Sequence, residues 1–201
     1  MTKIKLCGMI RPEDIHTANR LAPDLVGFVF ARKSRRFVSG DVAAKLREEL
    51  SDRIQAVGVF VNEDIGHILE LLDRRVIDAV QLHGDEGDEY INDLCNKTDV
   101  PVIRACHIQS PDDIAKIRIY PNVKILLDAG SGDGQSFSWD WLKDVDFDYY
   151  LAGGLDPQNV GEAVRTYHPY GVDVSSGIET DGYKDPDKME AFVRAVREGE
   201  R

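Results

Sequence analysis

Short apolar runs recur along the chain, separated by segments of mixed polar and apolar residues. The runs are rich in β-branched residues, and most are nearly continuous rather than alternating. Continuous apolar runs of this length are typical of parallel strands that are buried on both faces. The pattern therefore predicts eight strands, at residues 3–7, 24–30, 55–60, 78–82, 101–105, 123–128, 149–152 and 171–174.

The segments between these runs have the features of amphipathic helices. Apolar residues fall at i, i+3 and i+4, and prolines and acidic residues occupy first turns. The clearest examples are the helix start at 11–14, residues 41–50 and 64–72, the segment opened by Asp156-Pro157, and a last helix from Asp185 or Pro186 to about Val196.

Strands that alternate with helices predict a parallel α/β fold. Eight βα units in 201 residues leave little room for insertions, which favours a closed (β/α)8 TIM barrel over an open doubly wound sheet. The open sheet is the structural alternative. Because no linker, composition shift or low-complexity stretch divides the chain, we expect one domain over residues 1–201.

The charge balance argues against polyanionic partners. The formal net charge is −11, from 36 acidic and 25 basic residues spread along the chain. A nucleic acid or an anionic membrane surface needs a basic face, and no apolar run approaches the roughly 20 residues of a membrane span. An anionic small molecule would have to be held by local groups, such as backbone N–H groups and one or two arginines.

The cysteines give an expectation about location. Cys7, Cys95 and Cys106 form neither an even disulfide set nor a C-x-x-C metal pair. The chain also enters a strand-like segment at once, without a signal peptide. We therefore expect a cytoplasmic protein with reduced thiols.

Two chemically useful side chains stand at predicted strand ends, where barrel enzymes carry their active sites. Cys7 ends the first strand and Asp128 ends the sixth, so a thiol and a carboxyl could flank one substrate and move two protons. Cys7 would need a pKa below about 8.5, and Asp128 would need desolvation or a nearby anion to stay partly protonated. A small buried hydrophobe is the alternative role for Cys7.

Glycine- and serine-rich segments follow the seventh and eighth strands. Gly153, Gly154, Ser176 and Gly177 allow close approach of backbone N–H groups to an anion, and these two loops commonly hold a phosphate in (β/α)8 enzymes. The alternative is that they form tight turns only.

With these features in place, the chain resembles the phosphoribosylanthranilate isomerases of tryptophan biosynthesis over nearly its whole length. The resemblance implies a barrel of the ribulose-phosphate-binding type and an Amadori rearrangement without metal or organic cofactor, with Cys7 as base and Asp128 as acid. It is carried by Lys5-Leu6-Cys7-Gly8, Gly27-Phe28-Val29-Phe30, Lys33-Ser34-Arg35-Arg36, Val57-Gly58-Val59-Phe60-Val61-Asn62, Val80-Gln81-Leu82-His83-Gly84, Leu126-Leu127-Asp128, Ala152-Gly153-Gly154-Leu155 and Val172-Asp173-Val174-Ser175-Ser176-Gly177-Ile178-Glu179.

The same resemblance implies further contacts to a phosphosugar substrate. Arg36 matches the position that holds the anthranilate carboxylate, where a guanidinium can bind two oxygens, while Arg35 is expected to be a solvated charge. Gln81, His83 and Asp173 either orient the substrate hydroxyls or Schiff base or are hydrogen-bonded structural groups. The protein is expected to be a monomer or a homodimer.

One segment departs from the family pattern. After Asp128 the family usually has a longer loop with a Gly-Gly-Thr-Gly-like run before Phe-Asp-Trp, whereas this chain has a shorter segment at 129–139. Its glycines are still compatible with a flap that closes over substrate.

Three other functions are alternatives. The histidine-pathway isomerase runs the same rearrangement on a substrate with two phosphates, but its base is an aspartate and it has a second glycine-serine loop after strands three and four. A metal-dependent phosphosugar epimerase would use Cys7, His83, Cys106 and His107, whose spacing fits no compact zinc pattern. A phosphosugar-binding barrel without activity is the third, since a fold does not establish chemistry.

Overall fold

Eight parallel strands close into a barrel in the order β1 to β8. The structure, a computed structural model, describes residues 1–128 and 139–201. The strands are β1 (Lys3–Cys7), β2 (Leu25–Val29), β3 (Gln55–Phe60), β4 (Ala79–Leu82), β5 (Val102–His107), β6 (Val123–Asp128), β7 (Tyr149–Ala152) and β8 (Gly171–Val174). Direct pairing of β1 with β8 closes the ring, so the barrel prediction is confirmed and the open sheet is excluded.

The helices lie between the strands and cover the outside of the barrel. They are α1 (Pro12–Leu21), α2 (Gly40–Glu49), α3 (Ile65–Asp73), α4 (Asp88–Lys97), α5 (Pro111–Ala115), α6 (Val160–Tyr167) and α7 (Pro186–Gly199). Ser39, Asp64 and Asp185 cap α2, α3 and α7 by accepting backbone N–H groups, as expected for residues whose short side chains reach the first turn. None of the helices within residues 1–128 and 139–201 is long and apolar enough to cross a membrane.

Side chains alternate along each strand between the outer core and the barrel interior. The outward residues pack with the helices in one large cluster, as Ile4 and Leu6 of β1 do. Inside the barrel, a lower layer that includes Leu25, Val57 and Tyr150 fills the space towards the amino ends of the strands. A smaller group of Cys7, Val29 and Val59 lies above it. The interior is thus filled below and becomes polar at the carboxyl ends of the strands.

A small hairpin follows β8 that the apolar pattern does not predict. After a 3-10 turn at Ser176–Ile178, two short strands, β9 (Glu179–Thr180) and β10 (Tyr183–Lys184), pair in antiparallel fashion. Asp181 and Gly182 make the turn with positive φ angles of 53° and 84°. The hairpin places the side chains of Glu179 and Lys184 in buried positions beside the barrel mouth.

Candidate active site

The carboxyl ends of the strands surround a cavity of about 380 Å3. This volume lies within the usual range for small-ligand pockets. The residues singled out from the sequence line it, with the exception of Gly177: they are Cys7, Arg36, Gln81, His83, Asp128, Gly153, Gly154, Asp173 and Ser176. The barrel therefore gathers at one mouth side chains from six different strands or the loops that follow them.

A larger cavity of about 570 Å3 opens at the opposite end of the barrel. It is lined by residues near the amino ends of the strands, including Gln55, Tyr150 and Tyr170. In (β/α)8 enzymes the chemistry takes place at the carboxyl ends of the strands. The smaller cavity is the candidate active site for that reason, and because it contains the thiol and carboxyl groups.

Cys7 lies at the floor of the candidate site. Its side chain is buried, 7 % exposed, and β2 leaves room for it by carrying Gly27, where an added Cβ would stand 2.6 Å from Cys7 Sγ. Burial raises the pKa of the Cys7 thiol, and this outweighs the opposite effects of Lys5 and Lys184. The lowered pKa expected of a general base is therefore not found, because desolvation disfavours the thiolate.

A buried ion pair lies next to Cys7. Lys5 Nζ is 2.9 Å from Asp173 Oδ1, and the lysine side chain is completely buried. Burial by itself lowers the pKa of Lys5, but Asp173 and Cys7 outweigh this effect and the pKa is raised. Lys5 is therefore a stable ammonium in the barrel interior. Asp173, considered above as a substrate-orienting residue, has this lysine as its structural partner.

Asp128 belongs to a chain of hydrogen-bonded side chains. Its Oδ2 lies 3.0 Å from His83 Nε2, and His83 Nδ1 lies 2.9 Å from Gln81 Nε2. With the Gln81 amide as donor to Nδ1, the imidazole is neutral and donates from Nε2 to the Asp128 carboxylate. If the amide is turned over, Nδ1 donates to Gln81 and Nε2 can accept from a protonated Asp128. His83 therefore has a role for either protonation state of the acid.

Arg36 is held across the mouth by Glu179. Its Nε lies 2.6 Å from Glu179 Oε1 and its Nη2 lies 2.9 Å from Oε2. Among the described residues, these two bonds leave the Nη1 N–H groups of Arg36 available to a ligand carboxylate. Arg35 was expected to be solvated. It is 59 % exposed, yet its Nη2 also binds Glu179, at 2.5 Å, so that expectation was only half right.

Glu179 connects the arginines to the surroundings of the thiol. Its Oε1 also accepts from Lys184 Nζ at 2.7 Å, and the same ammonium donates to the Ser175 carbonyl at 2.9 Å. Burial alone raises the pKa of Glu179, but hydrogen bonds from Arg36 and Lys184 reverse this and lower it. Glu179 is therefore a carboxylate that joins three cations.

Replacing Glu179 by glutamine is expected to destabilise the fold strongly. The variant leaves buried cations without their counter-charge, which costs about 3–5 kcal/mol in comparable cases. Urea unfolding measures the effect. The control is Glu190→Gln, which removes a half-exposed partner of Arg20 at 2.6 Å and should cost less than about 1 kcal/mol. Equally small losses of unfolding free energy in both variants would contradict the prediction.

The glycine-rich loops after β7 and β8 lie against each other. Gly153 and Gly154 have positive φ angles of 84° and 69°, and Asn159 Nδ2 donates to the Gly154 carbonyl at 2.8 Å. A Cβ at Gly177 would come within 2.0 Å of the Leu155 carbonyl oxygen. Gly177 does not line the cavity itself, but its lack of a side chain allows the two loops to pack closely against each other.

The described residues contain no cluster of side chains that would support a metal centre. Among the described residues, no three His, Cys, Asp or Glu side chains are grouped so as to hold a metal ion. β5 continues through Cys106 and His107, so these side chains point to opposite faces. The departing segment at 129–138 lies outside the described residues, and the flap prediction is not tested by them.

Comparison with known proteins identifies the family of the chain. The model of the family described as "N-(5'phosphoribosyl)anthranilate (PRA) isomerase" matches residues 4–195. The chain belongs to this isomerase family. An isomerase from Thermoanaerobacter sp. (strain X514) is 42 % identical over 204 residues, covering 98 % of both chains.

Two solved structures of the isomerase family have the same fold. A phosphoribosylanthranilate isomerase in complex with reduced 1-(o-carboxyphenylamino)-1-deoxyribulose 5-phosphate is 34 % identical, with a TM-score of 0.87 and coverage of 98 % of this chain and 99 % of that one. Monomers generated from the dimeric isomerase of Thermotoga maritima are 34 % identical, with a TM-score of 0.86 and the same coverage.

The buried polar groups around the floor of the candidate site were not predicted from the sequence. Lys5, Glu179 and Lys184 were part of no site prediction, although all three are buried. A signal did exist for Lys5, since a lysine in the middle of an apolar strand is rarely buried without a partner. Glu179 and Lys184 depend on the hairpin, which has no strong pattern in the sequence.

Proposed function

We propose that the chain isomerises N-(5-phosphoribosyl)anthranilate to 1-(2-carboxyphenylamino)-1-deoxyribulose 5-phosphate, with Cys7 as general base and Asp128 as general acid. The observation that carries the proposal is one cavity that contains a thiol, a carboxyl group, an arginine and two glycine-rich loops. Such a set offers a base, an acid and two anion sites to one aminosugar phosphate. Membership of the isomerase family over residues 4–195 supports the same substrate.

The proposed chemistry is an acid-base rearrangement. Asp128 protonates the ribose ring oxygen, and the C1–O bond breaks to give a protonated Schiff base. Cys7, as the thiolate, then takes the proton from C2, and the electron pair moves to form an enolamine. Tautomerisation moves the enol proton to C1 and leaves a ketone at C2. The cationic imine accepts the electrons, which makes the C2–H bond acidic enough for a modest base.

The substrate's two anionic ends fit two parts of the cavity. Arg36 would bind the anthranilate carboxylate, with its orientation fixed by Glu179. The phosphate would lie at the loops of Gly153, Gly154, Ser176 and Gly177, where backbone N–H groups are its donors. Gln81, His83 and Asp173 would orient the hydroxyls or the Schiff base between these ends.

Further properties follow from this proposal. The imine already acts as the electron acceptor, so the rearrangement needs no metal or organic cofactor. We infer one catalytic domain over residues 1–201 that acts in the cytoplasm, where its three free cysteines stay reduced. Its partner is a small phosphosugar rather than a nucleic acid or membrane, and its assembly is a monomer or a homodimer.

The test is direct turnover without metal. Purified protein is mixed with freshly generated N-(5-phosphoribosyl)anthranilate in the presence of EDTA, and the loss of anthranilate-type fluorescence is followed. Decay faster than spontaneous hydrolysis, with the carboxyphenylamino-ribulose phosphate as product, is the expected result. A rate equal to that of the protein-free control would contradict the proposal and favour a phosphosugar-binding barrel without activity.

A further inference from the structure

A fully buried lysine lies two residues before the proposed base. Lys5 has no exposed surface, although burying an ammonium is costly without a partner. Successive side chains of a strand point to opposite faces, so Lys5 and Cys7 share the inward face of β1. Leu6, which lies between them, and Ile4, which precedes Lys5, point the other way and pack in the outer core. The lysine therefore lies directly below the thiol in the barrel interior.

Asp173 fixes the position of this lysine. Lys5 and Asp173 are register partners where β1 pairs with β8, and Lys5 Nζ donates to Asp173 Oδ1 at 2.9 Å. An ammonium has three N–H groups, so the Asp173 bond leaves others for the thiol. The ammonium of Lys5 also acts on the Cys7 thiol through its charge.

Charged groups of both signs surround Cys7. The buried or half-buried cations are Lys5, Lys184 and Arg36, and the carboxylates are those of Asp173, Glu179 and Asp128. On β2, the residue facing Cys7 is the uncharged Gly27. Lys5 and Lys184 are the cations that act on the thiol, and Asp173 is the carboxylate that opposes them. Lys5 shares the inward face of β1 with Cys7, so its charge is placed to stabilise a thiolate.

We propose that Lys5 is a positioning residue for catalysis, whose buried ammonium stabilises the thiolate form of Cys7. The proposal rests on the proposed function, in which Cys7 removes a proton from the substrate. The Lys5–Asp173 pair holds the ammonium in place before and after the transfer. When Cys7 accepts the proton, the thiol becomes neutral and the ion pair remains.

The balance of effects on the thiol supports this role. Burial is the largest influence and raises the pKa of Cys7, while Lys5 is the largest of the influences that lower it. Asp173 raises the pKa of the thiol, and Lys184 lowers it. Removing the lysine would leave burial and Asp173 opposed by Lys184 alone.

The test titrates the thiol itself. In a background with Cys95→Ser and Cys106→Ser, thiolate absorbance near 240 nm and the rate of alkylation by iodoacetamide are followed against pH, with Cys7→Ser as blank. Lys5→Met is expected to raise the titration midpoint by at least about one pH unit, as for the loss of an opposite charge nearby. The ascending limb of kcat/KM against pH should move by the same amount.

Lys3→Met is the matched control. Lys3 lies on the same strand and also binds an aspartate, Asp24, at 2.7 Å, but it is half-exposed at the other end of the barrel. Its replacement should leave the Cys7 midpoint unchanged. An unchanged midpoint in Lys5→Met, or an equal shift in both variants, would overturn the proposal.

A second variant covers the case in which Lys5→Met does not fold. Lys5→Met combined with Asp173→Asn removes the pair without leaving a buried charge unpaired. Since Asp173 opposes Lys5, the midpoint should lie above that of the parent protein by a smaller amount. A midpoint at or below the parent value would overturn the proposal. The titration needs no substrate, so it stands even if the turnover assay fails.

Discussion

Replacing Cys7 by alanine is expected to lower kcat by about 10²- to 10⁴-fold, the usual contribution of a general base. Asp128→Asn should cause a loss of similar size, because an amide cannot donate the proton that opens the ring. Binding of the reduced product analogue should change little in Cys7→Ala, since the variant removes only a small buried group. Steady-state kinetics and calorimetric titration of the analogue measure the two effects.

The other cysteines provide matched controls. Cys95 lies on α4 and Cys106 on the outward face of β5, so serine at either position should keep turnover near the parent value. If Cys7→Ser and Asp128→Asn each retained near-parent turnover, the acid and base assignments would be wrong. A parallel loss of analogue affinity would instead indicate that the side chains bind substrate rather than move protons.

Gly177→Ala is expected to damage the proposed phosphate site and the fold together. The added Cβ would stand 2.0 Å from the Leu155 carbonyl oxygen and 3.0 Å from Asp156 Cα. These are backbone atoms, so the loops after β7 and β8 would have to separate. Overpacking of this kind costs about 1–3 kcal/mol of stability. Affinity for the reduced product analogue should fall by about tenfold or more, as separated N–H groups no longer bind one phosphate.

Gly87→Ala is the control for this variant. Gly87 precedes α4, and a Cβ there would meet no atom within 4 Å. Its replacement should leave both the urea midpoint and analogue affinity nearly unchanged. If Gly177→Ala also left the urea midpoint and the analogue affinity nearly unchanged, neither property would depend on the close contact between the two loops.

Most of the barrel could be predicted from the sequence because buried parallel strands are almost entirely apolar. The predicted run 55–60 coincides with β3, whereas 24–30 was longer than Leu25–Val29 and 101–105 ended before His107. Strand ends are set by pairing with neighbours. Residues at 106–107 pair with Leu127 and Asp128, which a local pattern does not encode. The β9–β10 hairpin is too short for any periodicity.

The site was predictable as far as it lies at strand ends. Asp128 follows from its position at a strand end, and Arg36 and Gln81 follow from their places in family motifs. The partners of these groups could not be found in the same way. Glu179 lies 143 positions from Arg36 along the chain, and only the folded chain shows that the two side chains bind each other. The raised pKa of Cys7 was also missed, because desolvation depends on the closed barrel around it.

The seam between β1 and β8 has a consequence for folding. Lys5 and Asp173 are 168 positions apart, and contacts of such separation carry a large loop-closure cost and form slowly. A partly folded chain that lacked β8 would have neither Asp173 nor the hairpin lysine near Cys7. Its cysteine would be an ordinary solvated thiol without a pocket for a sugar. The proposed capacity for proton transfer therefore depends on closure of the barrel at this seam, and we expect a chain without β8 to lack it.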